Sequence, residues 1–204
     1  MTENKPEEIL RARAAQALGN AFWEDPFFKA IMCDFVDHPE ERACRMQRYF
    51  IFAIEEAFEI GRVDLDGEHQ GGAAVWVTEQ NQGRLASFRR EKAAFLQDLL
   101  GPDGKGNYQS ITGFMGDLAP DPGAGPLWYL SILGVDAVAR GRGLAGQVLA
   151  PGLRAADLKG VPTYLETFNP VAERVYGRLG YELVSRTPEP VTGQDCLIML
   201  RPPL

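Results

Sequence analysis

The order of hydrophobic and polar residues predicts helices in the first part of the chain and alternating strands and helices in the last third. Apolar residues recur at helical spacing over 9–23, 40–60 and 84–100, and Gly61 predicts the end of the second helix. "RVDLD" and "GAAVWVTE" have the residue types of two paired strands, with a turn at Gly67–Gly72 between them.

Two further segments separate this part of the chain from the last third. The cluster Gly101–Gly106 predicts a turn, and a short apolar helix follows it up to Leu118. "APDPGAGP" predicts an irregular loop, because proline and glycine both disfavour regular structure.

The last third has the clearest pattern. "LWYLSILGV" predicts a buried strand, 143–159 a helix ended by Gly160, and "TYLETF" a second strand. A short helix over 170–179 then precedes "YELVSR" and "CLIML", which predict an antiparallel pair. The sequence therefore predicts an α/β (α+β) fold with a mixed, mostly antiparallel sheet flanked by helices.

Length and charge narrow the classes of protein that fit. With 204 residues and 45% apolar composition, the chain predicts a single domain with a full core. The net charge of −7 excludes a nucleic-acid partner, because phosphate binding needs clustered lysine and arginine. Two interpretations of this charge stay open, namely simple solubility and attraction of a cationic substrate.

Cysteine usage and the N-terminal segment bear on location. Cys33, Cys44 and Cys196 form no CxxC motif, and the chain has only two histidines, His38 and His69. No metal site is therefore expected. "MTENKPEEIL" lacks the apolar core of a signal peptide, and no segment approaches the ~20 apolar residues of a membrane span. We therefore expect a cytoplasmic protein that does not bind a membrane.

One glycine pattern carries candidate chemistry. Gly141-x-Gly143-x-x-Gly146, with Glu166 about twenty residues later, matches the spacing of a dinucleotide-binding turn. That fold places its glycines directly after its first strand and needs several more βα units, for which too little chain follows. A pyrophosphate at the N-terminus of the next helix fits better, since free N–H groups and the helix dipole attract anions there. Alternatively, the glycines only permit a tight turn.

These residues resemble the GNAT N-acetyltransferase superfamily. Its acetyl-CoA loop, (Arg/Gln)-x-x-Gly-x-(Gly/Ala), is matched by Arg140, Gly143 and Ala145. "LSILGV" is similar to the family's fourth strand, and "ETFNPVAERVYGRLGYELV" resembles its following strand, helix and strand. Several segments, including "VLAPGLRAADLKGVPTYLET" with Pro151 inside a helix, resemble puromycin N-acetyltransferase and its relatives more closely.

The resemblance implies an acetyl-CoA-dependent N-acetyltransferase in which an amine attacks the thioester directly. It makes Tyr176 the donor of a proton to the departing thiolate and Asn169 an anchor for the pantetheine arm. It assigns backbone contacts with the cofactor to two segments: Leu133, Gly134 and Val135, and Gly141, Arg142, Gly143, Leu144, Ala145 and Gly146. Arg140 and Arg142 either meet phosphates as well or are solvated turn residues.

The chain departs from the family pattern in two places. The start of the chain predicts a helix, so the family's first strand is missing or very short. "LWYLSILGV" has no carboxylate, although many family members carry a glutamate there. Glu166, at the end of the strand beside the cofactor motifs, is a candidate base, with a structural or substrate-orienting role as the alternative. Ser131 or Tyr129 would hold a relay water.

The two parts of the chain have different expected roles. Residues 1–126 form a helix-rich substrate-side half, and residues 127–204 the acetyl-CoA-binding half. The acceptor pocket is expected from Phe22–Ile60 and the loop 101–126, where four aromatic residues belong to either the core or the pocket: Phe22, Trp23, Phe27 and Phe28.

The acceptor implied is the primary amine of a small molecule. A non-catalytic acyl-CoA-binding module and an acetyltransferase acting on a protein amine are the alternatives, and a homodimer is left open.

Overall fold

The computed structural model describes residues 5–65, 71–79, 81–121, 123 and 125–204. Most of the predicted turn at 67–72 and two positions of the "APDPGAGP" loop lie outside these residues. The described chain contains seven α-helices: α1 (Lys5–Ala21), α2 (Pro26–Ile31), α3 (Pro39–Ile60), α4 (Gln82–Leu99), α5 (Pro102–Leu118), α6 (Leu144–Leu158) and α7 (Pro170–Gly177).

Six strands form one mixed sheet, as the sequence predicts. They are β1 (Gly61–Leu65), β2 (Gly72–Val77), β3 (Trp128–Val135), β4 (Thr163–Thr167), β5 (Glu182–Pro188) and β6 (Asp195–Arg201). Their order is β1-β2-β3-β4-β6-β5, and every neighbouring pair is antiparallel except β3 with β4. Helix α1 is the first described element, so no strand precedes it in the described part of the chain.

Helices cover both faces of the sheet and form two main cores, beside a small cluster of Trp128, Ala156 and Val161. The larger core joins α1–α5 to one face through buried side chains such as Phe28, Phe50 and Ile132. The smaller core joins α6 and α7 to the other face through Leu149, Leu165 and other side chains. Because both faces are covered, the first five residues of β2 are all buried.

Helix α5 begins earlier than the sequence predicts. The predicted turn at Gly101–Gly106 is wrong, because Pro102 occupies the first turn of α5, where its missing N–H costs nothing. Gly104 lets this helix approach α2, since a Cβ there would lie 2.1 Å from the carbonyl oxygen of Ile31. The backbone N–H of Gly104 donates to Asp34 Oδ2 at 2.7 Å, and this hydrogen bond fixes the start of α5.

No helix of the described ranges has the length and apolar character needed to cross a membrane.

Candidate active site

The sheet splits between β3 and β4. These parallel strands pair only at Trp128 with Thr163 and Tyr129 with Tyr164, although β3 continues to Val135 and β4 to Thr167. Beyond the second pair the strands diverge, so backbone groups at the facing edges are left available to a ligand. A cleft therefore opens in the middle of the sheet.

A bulge in β3 accompanies the split. Val75 of β2 pairs with Ile132, but the next residue, Trp76, pairs with Leu130, so Ser131 is an extra residue on β3. A bulge bends its strand and increases the local twist. It also exchanges the two faces, because Leu130 packs in the α6 core whereas Ile132 packs in the α1–α5 core. Ser131, a predicted relay residue, lies at this bend and lines the cleft.

The cleft is a continuous cavity of about 1380 Å³. One end, called here the cofactor end, is formed by the loop 140–146 and the start of α7. The other, called here the acceptor end, is formed by residues of α2, α3, α4 and α5. Tyr129 and Glu166 line the cavity where the strands separate, between the two ends.

The glycines at the cofactor end have the backbone that the pattern predicts. Gly141 and Gly143 have φ values of +80° and +72°, in the left-handed region that favours glycine. Gly143 is the residue before α6, whose first N–H groups have no partner within the helix. The N–H of Gly146 is already donated to the carbonyl of Gly143 at 3.1 Å. Leu144 and Ala145 therefore offer the N–H groups best suited to a phosphate.

The two arginines of this loop differ in environment. Arg140 donates from Nε to the carbonyl of Val135 and from Nη2 to that of Ala21, both at 3.1 Å. It thus ties the end of β3 to the end of α1 while still lining the cavity. Arg142 is exposed and does not line the cavity. Arg140 is therefore the better placed of the two to meet a phosphate.

The end of β3 contributes backbone to the same cavity. Leu133, Gly134 and Val135 all line it. Gly134 has no room for a side chain, because a Cβ would lie 2.5 Å from Leu18 Cδ2 and 2.9 Å from Phe22 Cε2. The packing of Leu18 and Phe22 on β3 thus favours glycine here, because a larger residue would displace these side chains.

Asn169 and Tyr176 border the cleft from α7. Asn169 caps α7, with Oδ1 accepting the N–H of Val171 at 3.0 Å, so its amide NH₂ is the group it offers to a ligand. Tyr176 is buried against Tyr181, with ring centroids 5.7 Å apart, and also lines the cavity. Burial raises the pKa of Tyr176, so this phenol stays protonated and able to donate.

Glu166 lies half-buried on β4 beside two tyrosines. Tyr129 and Tyr164 stack with ring centroids 4.8 Å apart at the point where the strands separate. Burial raises the pKa of Glu166 to about 7, and hydrogen bonding with the Tyr129 hydroxyl partly opposes the rise. A carboxylate with this pKa accepts protons at neutral pH, as a general base must.

The acceptor end contains charged and aromatic residues that sequence reasoning missed. Lys92 of α4 donates to Glu56 of α3 at 2.8 Å, and its ammonium lies 5.9 Å from the ring centroid of Tyr49. Tyr108 also lines this end, and so does Asp25, whose carboxylate caps α2 and whose pKa burial raises to about 6. The sequence contains one signal for Glu56, because its position falls on the face of α3 that includes the buried Tyr49, Ala53 and Ile60.

All four aromatic residues left open between core and pocket belong to the core, and three of them also line the cavity. Phe28 is fully within the core, and Phe22, Trp23 and Phe27 pack against it. Phe22, Phe27 and Phe28 also line the cavity. Trp23 does not, and its ring instead stacks with Arg42, whose guanidinium carbon lies 4.1 Å from the ring centroid.

Within the described ranges, no group of three or more His, Cys, Asp or Glu side chains is arranged to hold a metal ion.

Comparison with known proteins gives the fold. No family model matches the sequence. The structure is similar to that of histone acetyltransferase HPA2 and related acetyltransferase from Corynebacterium glutamicum, at 22% identity and TM-score 0.61, over 100% of this chain and 93% of the other. It is also similar to arylalkylamine N-acetyltransferase 2 from Aedes aegypti, at 14% identity and TM-score 0.61, over 99% and 96% of the two chains. For an N-acetyltransferase from Staphylococcus aureus the identity is 16% and the TM-score 0.57, over 93% and 96%.

The chain has the GNAT acetyltransferase fold. These three structures give no support specific to the puromycin N-acetyltransferase pattern, which stays a prediction.

The raised pKa of Glu166 in this GNAT fold predicts an effect on stability. Between its ordinary pKa of 4.5 and its folded pKa of about 7, the folded protein holds a proton that the unfolded chain has released. Stability therefore falls as pH rises through this window. Glu166→Gln removes the penalty and should stabilise the protein by at most about 3 kcal/mol near pH 8.5, with much less gain near pH 5.5. Thermal unfolding at both pH values checks this, and a Tm difference independent of pH would contradict it.

Proposed function

We propose that this protein is an acetyl-CoA-dependent N-acetyltransferase that acetylates the primary amine of a small molecule by direct attack. The observation that carries the proposal is a single cavity lined by the glycine loop at the N-terminus of α6, by the buried Tyr176 and by the half-buried Glu166. Residues 127–204 would hold the cofactor, and residues 1–126 most of the acceptor.

The residues at the cofactor end fit acetyl-CoA. Gly141 and Gly143 leave open space in front of the N–H groups of Leu144 and Ala145, since a Cβ at either glycine would meet no atom within 4 Å. These groups and Arg140 would hold the pyrophosphate, and Asn169 with the unpaired edge of β3 would hold the pantetheine arm. When bound, acetyl-CoA supplies the acyl group as a thioester.

Glu166 is proposed to remove the proton from the acceptor. An alkylammonium has a pKa of about 10, so only about one molecule in a thousand is a free amine at neutral pH. Glu166, with its pKa near 7, is a stronger base than an ordinary carboxylate and lies where the cofactor and acceptor ends meet. Tyr129, which hydrogen bonds with Glu166, would align the carboxylate or relay the proton.

Tyr176 is proposed to donate to the leaving sulfur. As the new carbon–nitrogen bond forms, the carbon–sulfur bond breaks and the sulfur takes a proton or a hydrogen bond. A thiol with a pKa of about 8.5 leaves without strong acid help, so the contribution of a phenol is moderate.

Tyr176→Phe should therefore lower kcat about tenfold and leave the affinity for CoA nearly unchanged. Steady-state kinetics and CoA titration separate the two effects. Tyr181→Phe is the matched control, because that hydroxyl contacts Thr163 Oγ1 at 2.9 Å and does not line the cavity. An equal kcat loss in both variants would point to packing and remove Tyr176 from the mechanism.

Thiol release from acetyl-CoA in the presence of an amine panel tests the function itself. The structural neighbours are named for arylalkylamines and for histones, so the assay should contain small primary amines and a lysine-containing peptide. Amine-dependent release with small molecules is the expected result. Measurable CoA binding without release from any amine would instead identify an acyl-CoA-binding module, and release with the peptide alone would identify a protein acetyltransferase.

A further inference from the structure

Most charged side chains at the acceptor end already have partners. Within the described residues, the cavity-lining Asp25 accepts two backbone N–H groups, at 3.0 and 3.3 Å. Three ion pairs neutralise the other lining carboxylates, at 2.8, 2.9 and 3.1 Å: Lys92–Glu56, Arg84–Glu79 and Lys29–Glu24. Asp25 thus has hydrogen bonds in place of an ion pair, and Arg140 of the cofactor loop and Arg178 at the end of α7 also line the cavity without one. Among the remaining lining side chains of the described residues, Arg89 next to the acceptor end and Glu166 at the strand split have no ion pair, and they carry opposite charges.

Arg89 and Glu166 approach the cavity from different elements and influence the same tyrosine. Arg89 lies on α4, one turn before Lys92, and this exposed residue lines the cavity. Burial raises the pKa of Tyr164, the charge of Glu166 raises it further, and the charge of Arg89 lowers it. Both charges are therefore within electrostatic reach of the Tyr164 hydroxyl, and all three side chains line the same cavity.

We propose that the acceptor is an amine that also carries a carboxylate, such as an α-amino acid or a longer aminocarboxylic acid. This inference rests on the proposed function and names its substrate class. The ammonium would face Glu166, and the carboxylate would meet the guanidinium of Arg89.

Physical chemistry favours this pairing over a simple amine. A planar guanidinium matches a carboxylate with two parallel hydrogen bonds, which strengthens the contact beyond simple charge attraction. An acceptor with only an ammonium would bring a second positive charge toward Arg89, because the other lining carboxylates are already in ion pairs or, for Asp25, hydrogen-bonded to backbone N–H groups. A zwitterion instead gives each unpaired charge an opposite partner.

The test compares matched acceptors in the full-length protein. Each aminocarboxylate, such as β-alanine or phenylalanine, is paired with its neutral primary amide, and 2-aminoethyl phosphate distinguishes phosphate from carboxylate. At equal concentrations of free amine, kcat/KM should be about tenfold higher for the carboxylate. Arg89→Met should remove this preference without changing the KM for acetyl-CoA, and Arg89→Lys should restore part of it.

Arg90→Met is the matched control, because Arg90 is the next exposed arginine on α4 and does not line the cavity. It should leave the preference unchanged. Equal kcat/KM for carboxylates and amides, an equal loss for both in Arg89→Met, or a preference for the phosphate would each overturn the inference while N-acetyltransferase activity stands. Absence of thiol release with every amine, charged or neutral, would overturn the proposed function and this inference with it. Should Arg89→Met fold poorly by its Tm, Arg89→Gln provides the same comparison.

Discussion

Replacing Glu166 with glutamine is expected to lower kcat by about 100- to 1000-fold at neutral pH, in the lower part of the range of about 10²- to 10⁴-fold that positioned general bases contribute. The amide keeps the size of the side chain and still accepts a hydrogen bond from Tyr129, but it cannot take a proton. In the unchanged protein, kcat should rise with pH on the acid limb of the profile, with an apparent pKa of about 7. In Glu166→Gln that limb should disappear, and the remaining rate should follow the fraction of free amine.

The control for this prediction is Glu182→Gln, which makes the same chemical change at an exposed position of β5 that does not line the cavity. Its kcat and pH profile should match those of the unchanged protein. A Glu166→Gln variant with full kcat and an intact acid limb would contradict the assignment. Asp25, the other cavity-lining carboxyl group with a raised pKa, would then become the candidate base.

The cofactor end was predictable from sequence because its determinants are local. A positive φ is favoured by glycine, so Gly141 and Gly143 already indicate the conformation that the structure has. Asn169 and Pro170 likewise predict the start of α7, since a side-chain cap followed by proline is a helix-start signal. Such features depend on neighbouring residues and need no knowledge of the remaining chain.

The acceptor end was not predictable in the same way. Glu56 and Lys92 are 36 residues apart and meet only because α3 and α4 pack together. The bulge at Ser131 also has no sequence signature, because "LWYLSILGV" has the composition of a regular buried strand. Both depend on the pairing of elements distant in the chain, which residue order alone does not determine.

Arg140 shows how a motif residue can have a second function. The family pattern places it beside the phosphates, and in the structure its guanidinium donates hydrogen bonds to the carbonyls of Val135 and Ala21. Asn20 adds a hydrogen bond to Asp136 at 2.8 Å, so the region around the end of α1 is joined at two points to the segment 136–140 that leads from β3 into the loop. Anchoring the loop in this way reduces the ordering that cofactor binding would otherwise require.

Gly143→Val is expected to weaken CoA binding by about 100-fold or more. A β-branched residue at φ +72° is strained by about 1–3 kcal/mol, so the loop would relax away from its present shape. That change would turn the N–H groups of Leu144 and Ala145 away from the pyrophosphate and place a side chain in front of them. Isothermal titration with CoA measures the loss directly, without any assumption about the acceptor.

Gly160→Val separates loss of binding from general strain. Gly160 also has a positive φ, +62°, and open space around its Cβ position, but it lies beyond the opposite end of α6 and does not line the cavity. Both variants should lose similar stability, and only Gly143→Val should lose affinity for CoA. Normal CoA affinity in a folded Gly143→Val protein would mean that the N-terminus of α6 does not hold the pyrophosphate. The assignment of the cofactor end, on which the acetyltransferase proposal depends, would then be wrong.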